Sequence, residues 1–573
     1  MTNRTTRFVV YLLALGLISP ALAEGRRGKR KGGSLEGVLS SLGEGAAQPL
    51  RTVMVPMRDG VELATDVILP VGDRKRPVIL MRTPYGRRAG AGLTQIGGVA
   101  AKLGYAIVSQ DMRGRGDSEG VDYPIFASCG WYELQDGYDT IEWVAKQPWS
   151  NGKIGQFGAS ALGISANATA PSRPPHLTCQ FVVVAASDIY KQGATWNGTP
   201  RKSLSEMWTK SNKLDPRNIK LWRKHLSYDD FWKKYSTELV ADRVNVPACY
   251  VGGWYDIFSQ GTINSFVTIH NRGDKGARGK CRLVMGPWAH GSFKDKSFKY
   301  PKNSDMKRQI SLLLGWFNKW LRGIDLDRDK LPVHYYVMGA CGEPDAPGNV
   351  WRYADTWPPP SREICYYLQA NGGLSTDKPA KQSASSSYKY DPKKPAPTRG
   401  GGNLKLAKGP MDQRDVEKRD DVLLFTTPVL TEPVEATGRI KVKLWASSNC
   451  PDTDFTAKLT DVYPDGRSML VLDGIVSARY RESMAKPKLM KAGKIYTFEI
   501  DLWSTSIIFN KGHQIRVAIS SSNYPRFAAN PNTGKPGVDG ETRVARNTIY
   551  FDRRHPSHIV FPKPIETGGV ASQ

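Results

Sequence analysis

Short apolar runs that end in polar loops fill the first part of the chain, and strict alternation of apolar and polar positions replaces them from residue 440 onward. The runs Pro77–Arg82, Tyr105–Gln110, the segment around Ile154, Phe181–Ala185, Ala248–Val251 and Arg282–Met285 read as buried strands. Between them, Tyr138–Gln147 sets Ile141, Val144 and Ala145 at i, i+3 and i+4, which predicts a helix leading into the Ile154 strand. A small-residue stretch ending Val99–Leu103 predicts another. Strands alternating with helices predict a parallel sheet covered on both faces. Alternation from Arg51 to Pro70 around the turn Arg58-Asp59-Gly60 predicts an antiparallel hairpin at the edge of that sheet. A helix at Ile310–Leu321 closes this α/β domain, placed at residues 49–350.

Two segments break the pattern. Residues 190–243 carry Trp196, Trp208, Trp222, Phe231, Trp232 and Tyr235 among many basic residues without strand alternation, and read as a helical cap inserted over the sheet. Its aromatic residues either pack helices together, the commoner use, or line a substrate pocket. Residues 371–420, rich in Ser, Lys, Pro and Gly, read as a loop or solvated excursion rather than core. Beyond them Ile440–Trp445, Phe455–Leu459, Ile495–Leu502 and Gln514–Ile519 alternate with period two, predicting an antiparallel β-sandwich over 351–567.

At 573 residues the chain exceeds what one core supports, in keeping with this division. Arg4 and Arg7 precede an apolar run, Phe8–Ile18, and then Pro20-Ala21-Leu22-Ala23, the layout of a cleavable secretory leader over 1–23. Export, periplasmic or beyond, without stable membrane insertion is the expectation, because the run is shorter than the roughly 20 apolar residues a span needs. The net charge of +27 is densest at Arg26–Lys31, within a disordered basic tail over 24–48. The remaining charge is dispersed and lacks the aromatic interleaving of a nucleic-acid binder, so no nucleic-acid partner is expected. Cysteines 129, 179, 249, 281, 341, 365 and 450 form no CxxC pair; Cys249 and Cys281 fall in apolar runs and read as core. No metal or organic cofactor is expected.

The candidate chemistry centres on Ser160, in Gly158-Ala159-Ser160-Ala161-Leu162-Gly163 between a strand and a helix-forming run. A glycine two residues before a serine lets a strand turn sharply into a helix and lifts the hydroxyl clear of the sheet. Such a serine needs an imidazole to take its proton and a carboxylate to orient the imidazole, in the chain order Ser, Asp, His on an α/β sheet. His176 comes too early, His225 lies in the insertion, His270 ends a helix and His334 sits within an apolar run. His513, His555 and His558 belong to the sandwich. His290, in a loop after the Arg282–Met285 strand, remains, and Asp256 follows the Ala248–Val251 strand in the same way.

With Ser160 in Gly-Ala-Ser-Ala-Leu-Gly, Asp256 in Gly-Trp-Tyr-Asp and His290 in Gly-Pro-Trp-Ala-His, the chain resembles the cocaine esterase and X-Pro dipeptidyl-peptidase type of serine hydrolases. Met57–Gly60, Arg82–Tyr85, Asp111–Gly120, Gln147–Trp149 and Asn523–Arg526 carry the same resemblance, which runs from about residue 50 to 565. It implies an α/β-hydrolase core with an inserted helical cap and a C-terminal all-β jelly roll, and hydrolysis of an ester, amide or short peptide through an acyl-enzyme. It also implies an oxyanion hole made by the Ala161 backbone N–H and the Tyr85 phenol. Where the family usually has Tyr after the nucleophile this chain has Ala161, which removes an aromatic wall of the acyl pocket. Ile257, Phe258 and Ser259 follow Asp256, in place of the acidic residues that hold a substrate amine in the α-amino-acid ester hydrolases. Arg113, Arg115 and Asp117 read as a loop bracing the site rather than as substrate ligands. A reading of another class, a cell-surface glycan- or peptide-binding protein on a vestigial hydrolase fold, is opposed by the complete Ser, Asp and His set. The oligomeric state is not legible in the chain.

Overall fold

The computed structural model describes residues 48, 50–88, 101, 103–291, 293, 298–306, 310–325, 330–535 and 540–565. The expected leader, all but Gln48 of the basic tail, and most of the helical stretch ending at Leu103 lie outside the described residues. Among the described residues no helix is long and apolar enough to cross a membrane.

The first domain is built on ten strands. They are β1 (Arg51–Pro56), β2 (Glu62–Ile68), β3 (Arg76–Thr83), β4 (Ala106–Asp111), β5 (Ser150–Ala159), β6 (Leu177–Val183), β9 (Ala248–Tyr255), β10 (Arg282–Ala289), β11 (Val333–Val337) and β12 (Val350–Ala354); β7 (Thr195–Trp196) and β8 (Thr199–Pro200) pair separately within the cap. The order is β1-β2-β4-β3-β5-β6-β9-β10-β11-β12. Strands β4 through β11 are parallel, and β1, β2 and β12 run antiparallel at the two edges. The hairpin turn at Arg58-Asp59-Gly60 thus falls where alternation puts it, with Gly60 at φ 85°. Buried rings fix the sheet against its helices: Phe157 and Phe181 are cross-strand partners on β5 and β6, 6.3 Å apart, and Phe181 meets Phe317 of the helix Ile310–Phe317 at 6.3 Å. Full burial of one such ring contributes about 2–3 kcal/mol.

The cap consists of the β7–β8 hairpin and the helices Lys202–Ser211, Arg217–Lys224 and Asp230–Lys233. The second domain is a sandwich. One sheet holds β14 (Leu374–Ser375), β13 (Ser361–Leu368), β23 (His558–Pro564), β17 (Val434–Ser448), β22 (Ala545–Tyr550) and β15 (Ser385–Tyr390), with β20 (Tyr496–Phe509) also on β17; the other holds β16 (Leu423–Thr426), β21 (Gln514–Ser520), β18 (Asp454–Val462) and β19 (Ser468–Ser477). Every pairing in both sheets is antiparallel.

The structure corrects one expectation here. The Ser-rich segment 371–420 is not a solvated excursion, because Ser385–Tyr390 is a sandwich strand whose alternate residues Tyr388 and Tyr390 are buried. The first sheet also runs to Ala354, past the expected border at 350. At the seam between domains, buried His513 bridges Asp461 (2.7 Å) of β18 and Glu343 (2.8 Å) of the first domain. Burial lowers the imidazole's proton affinity, but the two carboxylates outweigh it and leave the pKa raised. A group with a raised folded pKa contributes stability in full below its unfolded pKa, about 6.5, and loses it as pH rises through the folded value. Melting curves across pH 6 to 9 should therefore show wild type losing stability relative to His513→Gln as pH rises; parallel curves would remove His513 from that role.

Candidate active site

Strand β5 ends and the helix Ala161–Thr169 begins at Ser160, whose φ of 58° and ψ of −124° are strained for a residue with a side chain. That turn is possible because its neighbours are small. A Cβ on Gly158 would stand 2.3 Å from the Leu162 carbonyl oxygen, and one on Gly163 2.8 Å from the Ala185 Cβ. The fold brings the three sequence candidates together. His290 Nε2 lies 2.9 Å from Ser160 Oγ, and His290 Nδ1 lies 2.7 Å from Asp256 Oδ2. All three are buried. The second oxygen of Asp256 accepts the Phe258 backbone N–H at 2.7 Å, which fixes the carboxylate plane. A hydroxyl, imidazole and carboxylate so joined can pass the hydroxyl proton to the imidazole while the carboxylate steadies the resulting charge.

The two expected oxyanion donors border the same point. Ala161 is the first residue of its helix, so its N–H has no carbonyl within the helix to bond. The Tyr85 phenol faces the Ser160 hydroxyl and accepts a hydrogen bond from Trp208 Nε1 at 3.0 Å. Burial raises the pKa of that phenol. Arg115 braces this arrangement as expected of a loop residue: it donates to the Pro84 carbonyl (2.8 Å), to Asp122 and to the Asn212 carbonyl (2.7 Å) at the end of the first cap helix. Arg113 binds Asp59 and Asp136, and Asp117 pairs with Arg87, so none of the three reaches the pocket.

The pocket at Ser160 is apolar, and every residue lining it is uncharged. Of the cap aromatics, Trp208 and Trp222 line it, whereas Phe231, Trp232 and Tyr235 pack on one another and Trp196 stacks on Trp503 of the sandwich at 3.6 Å. Both sequence readings of those aromatics are therefore realised, and Phe231 and Tyr235, besides packing, line a second cavity next to this one. Three participants escape the sequence reading. Leu404, from the supposed excursion, forms part of the pocket wall, and Lys408 Nζ donates to the His290 carbonyl at 2.7 Å. Arg201, fully buried, donates to the Ile257 carbonyl beside Asp256 at 2.9 Å, and burial, then Arg526, pushes its pKa down to about 9. A basic residue placed between two short strands and an aromatic cap helix was the available signal for Arg201.

A sheet parallel through its centre and covered by a cap, with a serine raised on a strained strand-to-helix turn, defines an α/β-hydrolase of the serine type. Residues 59–215 and 200–292 match the X-Pro dipeptidyl-peptidase (S15 family), and residues 328–560 match the X-Pro dipeptidyl-peptidase C-terminal non-catalytic domain. The chain is 34% identical to the cocaine esterase of Rhodococcus sp. (strain MB1 Bresler) over 89% of its own length and 97% of that protein's. It thus belongs to this family of serine hydrolases. Among solved structures it is similar to an aminopeptidase from a marine sediment archaeon, Thaumarchaeota archaeon (TM-score 0.79, 25% identity, 90% of this chain and 96% of that one). It is also similar to an α-amino acid ester hydrolase (TM-score 0.75, 27% identity, 95% and 100%).

Proposed function

We propose that the protein is an esterase in which Ser160 is the nucleophile, His290 the base and then the acid, and Asp256 the group that orients His290. The observation that carries the reading is the pair of hydrogen bonds from one imidazole, 2.9 Å to Ser160 and 2.7 Å to Asp256. Ser160 attacks the acyl carbonyl, His290 takes the proton and returns it to the leaving alcohol, and water repeats the sequence to free the acid. Tyr85 and the Ala161 N–H receive the negative charge of each tetrahedral intermediate. The uncharged pocket favours an apolar acyl group. With Ile257 and Phe258 in its wall, it offers no carboxylate to a substrate ammonium, which argues against dipeptides and amino-acid esters. Export is part of the proposal and rests on the leader pattern at 1–23.

A panel of p-nitrophenyl esters, X-Pro anilides and α-amino-acid esters tests the substrate class, with simple esters expected to turn over fastest. A fluorophosphonate probe should label Ser160. Equal labelling of Ser160→Ala would sink the assignment.

A further inference from the structure

The pocket beside Ser160 has a free volume of about 40 Å³. An apolar cavity of about 150 Å³ holds one benzene, so this pocket alone takes little more than an acetyl group. A second cavity of about 250 Å³ lies against it and shares the apolar residues Phe126, Ile164 and Ile189 with it; unlike the first it is polar in part, with Glu133, Lys234 and Asn167 in its wall. One helix floors both. Ala161 and Ile164 face the first, while Ile164, Asn167 and Ala168 face the second, the rhythm of a single helical face. At 1.5 Å per residue, Asn167 stands about 10 Å along the helix from Ser160.

Two features set the second cavity apart from a packing void. Asn167 is 2% exposed and spends its Nδ2 on the Ala186 carbonyl (3.1 Å) and Ser265 Oγ (3.3 Å), leaving Oδ1 buried without a partner. A buried acceptor left unpaired is costly, and a guest that brings a donor removes the cost. Phe126, in the partition, holds φ 67° and ψ −2°, the left-handed region that bulky residues rarely occupy and that clusters at functional sites. Its ring stacks on Trp208 at 6.0 Å.

We propose that this partition is a gate and that the two cavities form one acyl tunnel. The acyl group passes Ala161, where no aromatic side chain obstructs it, crosses beside Phe126 and ends at Asn167. The substrate class is a medium-chain acyl ester with a hydrogen-bond donor at its far end. The inference rests on Ser160 being the nucleophile.

Hydrolysis of p-nitrophenyl acetate, hexanoate, octanoate and ω-hydroxyoctanoate tests it. In wild type, kcat/KM should rise at least about ten-fold from acetate to octanoate, since a methylene accommodated against the apolar partition of Phe126, Ile164 and Ile189 is worth about ten-fold or more, and rise again for the hydroxylated chain, whose end meets the polar part of the second cavity. Ala168→Phe fills the second cavity and should lower the octanoate-to-acetate ratio by about ten-fold or more. Asn167→Leu should abolish the preference for the hydroxylated chain. A wild-type kcat/KM that falls steadily with chain length would overturn the tunnel, as would an unchanged ratio in folded Ala168→Phe; if that variant does not fold, the wild-type profile decides. Absence of all ester turnover and of Ser160 labelling would instead overturn the reading on which the tunnel rests.

Discussion

Replacing His290 with alanine is expected to lower kcat by about 10⁶-fold, Ser160→Ala to do the same, and the double variant to be no slower than either single one. The reason is that, in the proposed mechanism, the three groups act as one device. A serine hydroxyl without its base is a poor nucleophile, and a base without a hydroxyl has nothing to activate. With Nε2 at 2.9 Å from Ser160 Oγ and Nδ1 at 2.7 Å from Asp256, one imidazole links the hydroxyl to the carboxylate, and removing it breaks both contacts. Asp256→Asn should fall short of these losses, at about 10⁴-fold, because it leaves the base present but holds it in the wrong tautomer. Steady-state rates on the best ester of the panel, with circular dichroism to confirm folding, measure all four variants. A His290→Ala enzyme within ten-fold of wild type would remove it as base, and additive losses in the double variant would show that the pair does not work as a unit.

The same triplet shows what a sequence of this kind reveals. Ser160, Asp256 and His290 each follow a parallel strand whose apolar run is local and unmistakable, and chain order limits which strand ends can meet. Elimination among eight histidines therefore leads to the one that the fold sets against Ser160 and Asp256. The sandwich was equally legible, since period-two alternation records burial on one face directly. What escaped depended on contacts made far along the chain. Lys408 reaches the His290 carbonyl across 118 positions from a segment whose composition suggested solvent, and Trp196 meets Trp503 from another domain. In Ser385-Ser-Ser-Tyr-Lys-Tyr390 the alternation was present, with both tyrosines on one face, but serine and lysine on the other face masked it. Composition averages a segment, whereas burial is decided residue by residue.

The second large effect is expected at the proposed oxyanion site: Tyr85→Phe should lower kcat by about 10²–10³-fold and leave KM nearly unchanged, as befits a donor that acts on charge developing in the transition state. Trp208 decides where that donor points. Its indole N–H occupies one lone pair of the Tyr85 oxygen at 3.0 Å, which leaves the phenol O–H free to turn toward Ser160. Trp208 comes from the cap, and Arg115 ties the Tyr85 turn to the end of the same cap helix, so docking of the cap and aiming of the donor are one event. Trp208→Phe keeps an aromatic ring against Phe126 but loses the hydrogen bond, and should cost about ten-fold in kcat, the worth of one such bond. Once Tyr85 has lost its hydroxyl the indole has nothing left to orient. Tyr85→Phe/Trp208→Phe should then be no slower than Tyr85→Phe alone, and independent losses in that cycle would separate the cap from the oxyanion site. Because burial holds the phenol pKa above its ordinary value of about 10, the ratio of wild-type to Tyr85→Phe rates should stay flat from pH 7 to 9. A ratio that collapses over that interval would mean that the phenol ionises there and could not have been the donor.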